Sequence, residues 1–434
     1  MPGLILTRLY ALPKPACRVR TQWFTSSAAV LGLKVLFFGS DEFSARALRA
    51  LHENTKSANP AVSHIEVVCP PPQHKKRGKK MKVEWRATSE KWARRLLIPV
   101  HYCGGNDILG WDVPLTGEEF GHRDRRFDIG VVASYGAFIP PRIMNQFPKG
   151  MINLHPSLLP EYRGPTPIQT AILDGQENSG VTVQEMHPTR YDAGRILAQV
   201  PCKILLGMTR LDLMHLMGHM GGELASRVLG RLDLVRKQSQ EQDESRVTKT
   251  RLYAHMDLRV NWETMSAMDI MRMHWAHYGH INVWTFLRLK NKILHVKLLE
   301  LSLPKKDQKP LEENFLDLCP GTIMHRRLVP YLEIPCIDGG RIHATRFVVA
   351  SKQPCDRFQF AAGYIKKNKT ARFLSQGDDV RRPQQPFRYP EGYQKPDLEH
   401  ALRMYDTPMP KLRQALEPDQ EPSEDTWVTD PDAQ

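Results

Sequence analysis

From residue 34 onward, short apolar runs alternate with segments of helical spacing, and this alternation constrains the fold more than any single motif. Lys34-Val-Leu-Phe-Phe-Gly39 reads as a buried strand closed by a glycine turn, and Asp41-Glu-Phe-Ser-Ala-Arg-Ala-Leu48 opens a helix. Ile65-Glu-Val-Val-Cys69 is the next strand, stopped by Pro70-Pro-Pro72, and Ile98–His101, Phe127–Tyr135 and Gly150–His155 continue the series. Helices are expected over Glu84–Leu97, Pro141–Phe147, Thr166–Leu173 and Leu211–Arg236, with further strands at Gly180–Met186 and Gly194–Val200. Strands joined by helices predict an α/β layer, an open, Rossmann-like, mostly parallel sheet.

The polar stretch Gln238–Ser245 reads as a linker, placed at 238–250, between a domain over 34–237 and a second one over 251–370. After a helix at Ala267–Tyr278, short strands at Ile281–Phe286, Ile293–Lys297, Gly321–Met324, Tyr331–Ile334 and Ala344–Val349 predict a small β-barrel. The first 33 residues carry Arg8, Lys14, Arg18, Arg20, Ser26 and Ser27, and no acid precedes Asp41. That is the composition of a mitochondrial transit peptide and implies import into the matrix. Residues 371–434 are first Pro-rich and then acidic, with a short helix expected at Asp397–Tyr405, and read as a flexible tail. The seven cysteines form no C-x-x-C pair, which predicts reduced thiols and no metal site. No apolar run reaches the roughly 18 residues of a membrane span.

Chemistry concentrates in Asn153-Leu-His-Pro-Ser-Leu-Leu-Pro160, followed by Glu161-Tyr-Arg-Gly164 and, further on, Tyr191-Asp-Ala-Gly194. Asn153 and His155 lie two apart at a strand end and so face the same way. Histidine moves protons near neutral pH, and an asparagine amide can donate to an oxygen that gains charge. A carboxylate such as Asp192 would favour the protonated imidazole. Taken singly, each of the three is as well explained as a satisfied polar group at a strand end. Ser157 lacks the G-x-S-x-G turn of a serine nucleophile, so the set points to direct transfer between two bound substrates. One glycine in Gly39-Ser-Asp-Glu42 rules out a P-loop or a dinucleotide fingerprint.

The formal net charge is +14. It is densest in His74-Lys-Lys-Arg-Gly-Lys-Lys-Met-Lys82, where a basic loop can follow a phosphate backbone. Charge by itself is better explained by a solvated surface loop, with Trp85 and Trp92 as packing residues of the following helix.

Asn153-x-His155 with Pro156-Ser-Leu-Leu-Pro160, Arg163-Gly164 and Asp192-x-Gly194 resembles the formyltransferases that use 10-formyltetrahydrofolate. From Lys34 to about Lys369 the chain is similar to the methionyl-tRNA formyltransferase family, in its mitochondrial branch. The resemblance implies that Asn153, His155 and Asp192 are catalytic. Ser157, Leu158, Leu159 and Pro160 would contact the folate, whose pterin would lie on the backbone of Gly136, Ala137 and Ile139. Lys75, Lys76, Arg77, Lys79 and Lys80 would engage the acceptor stem of tRNA, and the barrel would bind tRNA as well. The co-substrate would be 10-formyltetrahydrofolate, the acceptor initiator methionyl-tRNA, and the product would serve initiation of organellar translation, with no metal, no membrane and a monomeric chain expected. Two departures stand out: Pro156 replaces a glycine common in bacterial members, and nothing after Thr370 matches the family. Alternatives are a glycinamide ribonucleotide or sugar-nucleotide formyltransferase, a formyltetrahydrofolate hydrolase, and a non-catalytic RNA-binding protein of the same fold. The acids after Gly39 repel a phosphate there and count against glycinamide ribonucleotide as acceptor.

Overall fold

The computed structural model describes residues 32–77, 81–104, 108–116, 126–289, 292–312, 314–350, 352–365 and 371–375. The sequence runs β1 (Leu33–Gly39), α1 (Glu42–Asn54), β2 (Val62–Cys69), β3 (Gln73–Arg77), β4 (Met81–Trp85), α2 (Thr88–Arg95), β5 (Val100–Tyr102), β6 (Ile129–Ala133), α3 (Pro141–Met144), β7 (Met151–His155), α4 (Pro167–Leu173), β8 (Asn178–Glu185), β9 (Ile196–Lys203), α5 (Arg210–Leu229) and α6 (Leu232–Lys237). Seven of these strands form one sheet in the order β5-β2-β1-β6-β7-β8-β9. The strands from β5 to β7 are parallel, and β8 and β9 are added antiparallel, as the sequence led one to expect of a mostly parallel sheet.

The continuous apolar runs are explained by burial on both faces. Val35 and Phe37 of β1 pack with Phe43 and Leu51 of α1 and Leu213 and Met217 of α5 on one side. Leu36 and Phe38 pack with Phe127, Tyr135 and Phe147 on the other. Asp41 caps α1 by accepting from the Ser44 N–H at 3.0 Å. Helices α1 and α5 touch backbone to side because α5 offers glycine at the contact: a Cβ on Gly222 would lie 2.5 Å from the Ala47 carbonyl oxygen. The single helix expected over Leu211–Arg236 is interrupted at Gly230-Arg231, where poor helix propensity lets the chain turn into α6.

Two further expectations are corrected on the basic stretch. It is a β-hairpin, β3 against β4 in the register Gln73↔Trp85, and the helix begins only at Thr88, so Trp85 ends a strand. The period-two alternation Met81-Lys-Val-Glu-Trp85 carries that signal. Gly78, Lys79 and Lys80 lie outside the described residues, as do residues 1–31 and everything beyond 375, including the segment expected as a helix at Asp397–Tyr405.

The rest of the described chain contains α7 (Ala267–His277), β10 (Val283–Leu289), β11 (Lys292–Ser302), β12 (Leu332–Pro335), β13 (Arg341–Val349), β14 (Cys355–Asp356), α8 (Arg357–Phe360) and β15 (Phe373–Leu374). A curled antiparallel sheet runs β12-β13-β11-β10-β15, with β14 on the side of β13. Its ends are stapled by Gly321–Met324: Ile323 N–H donates to Ala371 O at 2.9 Å, Phe373 N–H to Gly321 O at 2.9 Å, and Met324 N–H to Glu333 O at 2.9 Å. The expected strand at Gly321–Met324 is therefore a pair of isolated bridges that draws the sheet into a barrel-like curl. Trp262, Phe347, Phe360 and Phe373 fill it, and the Trp262 indole N–H is satisfied by Thr285 Oγ1 at 3.0 Å. Among the described residues, no helix is long and apolar enough to cross a membrane.

Candidate active site

Because β6 and β7 are parallel neighbours, the Ser134–Pro140 loop and the turn after His155 leave the sheet at the same carboxyl edge, where open α/β sheets hold their ligands. Strand β8 lies antiparallel on the other side of β7, with Asn153 opposite Gln184 and His155 opposite Thr182. Asp192 enters from the β8–β9 connection on a left-handed backbone, φ +51°, an uncommon conformation that neighbouring contacts must hold.

The three side chains meet. Asn153 Nδ2 donates to Asp192 Oδ1 at 3.3 Å, and His155 Nδ1 lies 3.4 Å from the same oxygen. Gln184 Nε2 also donates to Oδ1, at 3.2 Å, while the Gly164 N–H donates to Oδ2 at 2.9 Å. His155 is buried, and its Nε2 donates to the Tyr162 carbonyl at 2.9 Å, so both ring nitrogens face oxygen acceptors. Asn153 is half-buried and spends one amide N–H on Asp192, which leaves the other for a ligand. The arrangement holds a donor amide, a proton-carrying ring and a carboxylate in one hydrogen-bonded unit.

The motif's Arg163 and Gly164 have a structural task. Arg163 is buried and its backbone N–H donates to Thr248 O at 2.9 Å; its guanidinium donates to Gln242 Oε1 at 2.9 Å and to Glu244 at 3.1 and 3.2 Å. Gly164 adopts φ +116°, and a Cβ there would come within 2.7 Å of Thr250 Oγ1. This close approach ties residues 242–250 against the turn after β7.

A formyl transferase family model matches residues 117–229, the span that contains Asn153, His155 and Asp192. The mitochondrial methionyl-tRNA formyltransferase of Rattus norvegicus is 29% identical over 308 residues, covering 70% of this chain and 72% of its own. The methionyl-tRNA formyltransferase of Afipia carboxidovorans is 27% identical over 76% of this chain and 96% of its own, and that of Chloroflexus aggregans 37% identical over 37% and 52%. The chain is a formyltransferase. Among solved structures, HypX from Aquifex aeolicus in complex with tetrahydrofolic acid aligns with 77% of this chain and 48% of its own at 15% identity, with a TM-score of 0.48.

In this formyltransferase the turn expected to contact folate is buried except at Leu158. Ser157 is buried with its hydroxyl donating to Glu161 O at 2.6 Å, and Leu159 is buried with its N–H on Thr182 Oγ1 at 3.0 Å. Leu158 is half-buried over Gly180, and Pro160 follows a cis peptide bond. On the neighbouring loop Gly136 is exposed at φ +87°, Ala137 is half-buried, and Ile139 belongs to the apolar cluster with Phe38 and Tyr135. The rings of Phe138 and Tyr191 meet edge to face at 5.1 Å and join this loop to the one that carries Asp192. Asp41, in the turn after β1, has its carboxyl pushed up to about 6 by burial, partly offset by the Ser44 N–H and the charge of Arg210.

Lys75, Lys76 and Arg77 lie on β3, apart from Asn153, His155 and Asp192 in sequence but on the hairpin that follows the carboxyl end of β2, the same sheet edge. Sequence reasoning missed Thr182, Gln184 and Gln242. Thr182 and Gln184 alternate with Val181 and Val183 on a strand and are fully buried, and two polar residues on one face of an otherwise apolar strand are a usable signal. Gln242 sits in a uniformly polar stretch and has no local signal.

Proposed function

We propose that the chain transfers the formyl group of 10-formyltetrahydrofolate to the α-amino group of methionyl-tRNA, in the mitochondrial matrix, for initiation of translation there. The observation that carries the reading is the unit of Asn153, His155 and Asp192 at the sheet's carboxyl edge with no nucleophilic side chain in it, inside a formyl transferase domain. The relatives bear the acceptor's name, and the mammalian ones also that of the organelle.

The folate derivative supplies an activated formyl group, and the acceptor supplies a neutral amine. A free α-amino group has a pKa of about 7.7–8.0, and an adjacent ester lowers it, so the nucleophile is available near neutrality. As the amine adds to the formyl carbon, the carbonyl oxygen gains charge, and the open N–H of Asn153 is placed to donate to it. Asp192 holds that amide in position and faces His155 Nδ1, so the proton released by the amine can be held on the imidazole and returned to the departing folate nitrogen. Exposed backbone at Gly136 and the Phe138–Tyr191 pair offer a flat ligand an amide edge and an aromatic rim.

The test is formyl transfer from 10-formyltetrahydrofolate to charged methionyl-tRNA, run beside glycinamide ribonucleotide as competing acceptor. Formylmethionyl-tRNA as the product supports the reading, and transfer to the ribonucleotide alone, or hydrolysis alone, overturns it.

A further inference from the structure

The connection between the two halves of the molecule passes through the site. Gln240 pairs with Ile196 in both directions, Ile196 N–H to Gln240 O at 2.8 Å and Gln240 N–H to Ile196 O at 3.1 Å. Tyr162 N–H donates to Thr248 Oγ1 at 2.7 Å, Thr250 N–H to Arg163 O at 2.7 Å, and Thr166 Oγ1 to Arg251 O at 2.7 Å. At the centre lies the buried amide of Gln242. Its Nε2 faces Asp192 O at 2.9 Å, Gly194 O at 2.8 Å and Gln184 Oε1 at 3.2 Å, and its Oε1 accepts from Arg163 Nε. Gln184 in turn accepts from Gly194 N–H at 3.2 Å and donates to the Asp192 carboxylate.

We propose that Gln242 is a positioning residue for formyl transfer: it clamps the backbone of Asp192 and fixes the Gln184 amide, and so sets the carboxylate between Asn153 and His155. The reasons are geometric. Asp192 holds a left-handed φ that a side-chain-bearing residue adopts only under constraint, and the carbonyls on either side of Ala193 are both bound by one Gln242 nitrogen. The amide is oriented without ambiguity, because Arg163 has only donors and the two carbonyls only acceptors. Gln242 touches none of the reacting atoms, since Asp192 and Gln184 stand between it and Asn153.

This inference rests on the proposed reaction, and its test separates the two. Gln242→Met keeps the shape of the side chain and removes its donors, whereas Glu241→Ala alters the same connection at an exposed pair with Arg195. Gln242→Met is expected to lower kcat roughly 10-fold or more, the scale seen when a partner that orients functional side chains is removed, with little change in KM for either substrate. Glu241→Ala should leave kcat unchanged. In an Asp192→Asn background Gln242→Met should add no further loss, because it acts through that carboxylate. Nitrogen-15 spectra of the His155 ring should show the Nδ1 contact with Asp192 altered in Gln242→Met and retained in Glu241→Ala. If Gln242→Met does not fold, Gln242→Glu, which keeps the acceptor for Arg163, carries the same expectations. A folded Gln242 variant with normal turnover and an unaltered His155 spectrum would overturn the proposal, as would an equal loss in the Asp192→Asn background. If the wild type forms no formylmethionyl-tRNA, the functional reading fails, while the ring spectra still decide the role of Gln242.

Discussion

At the scale of single residues, the site divides its work among side chains that local sequence made visible and side chains that it did not. Asn153 offers the open donor, and its replacement by alanine should cost roughly 10²–10³ in kcat with folding intact, the magnitude of a lost oxyanion donor. His155→Ala should do likewise; near-normal turnover in either folded variant, measured by single-turnover formyl transfer, would falsify the assignment. Asp41 gives a prediction of the opposite kind. Its carboxyl sits at about 6 against an ordinary 3.8, so the folded chain binds that proton more tightly than the unfolded one. Its contribution to stability is whole below pH of about 4 and is lost as pH rises through 6. Asp41→Asn keeps a capping oxygen and cannot ionise. The melting temperature of the variant relative to wild type should therefore climb between pH 4 and 7, by the equivalent of at most about 3 kcal/mol. A difference that does not vary with pH would show that the folded protein ionises Asp41 at no extra cost.

At the scale of elements, glycines decide where loops can close. A Cβ on Gly194 would overlap the carbonyl oxygen of Glu185, so the β8–β9 connection can return to its strand only with glycine there. Gly194→Ala should cost roughly 1–3 kcal/mol by overpacking and should displace Asp192, so turnover falls further than the melting temperature alone implies. At Gly136 nothing stands within 4 Å of a new Cβ, and only the positive φ resists substitution. Gly136→Ala should therefore be milder, at about 1 kcal/mol. Comparing the two melts and the two kcat values checks the argument, and equal effects would defeat it. Much of this level was legible in sequence. Period and composition located β1, β2, β6, β7 and β8 because strands buried on both faces leave continuous apolar runs. The hairpin of β3 and β4 reads as a loop in sequence because its density of like charge outweighs its short alternation. The break after α5 is not legible in sequence because a lone glycine between Leu229 and Arg231-Leu232 reads equally as helix interior.

At the scale of the whole molecule, the hairpin and the curled second sheet are where the family resemblance implies contact with tRNA. Neutralising Lys75, Lys76, Arg77, Lys79 and Lys80 should weaken tRNA binding and flatten its dependence on salt, since fewer counterions are released, while folate affinity stays the same. Binding measured from low to physiological salt gives the slope, and an unchanged slope would leave the hairpin as a solvated surface. The sequence by itself determined the chemistry: residue types and spacing at Asn153, His155 and Asp192 name a proton carrier, an amide donor and a carboxylate, and strand periodicity puts the first two on one face. Only the tertiary structure decided how they are held. Asp192 is 39 residues from Asn153, and Gln242, 50 residues from Asp192, comes from a stretch that looks like a spacer. Local pattern reports a residue's own preferences, whereas a polar side chain in a polar segment gains its partners only when the chain folds back across the site.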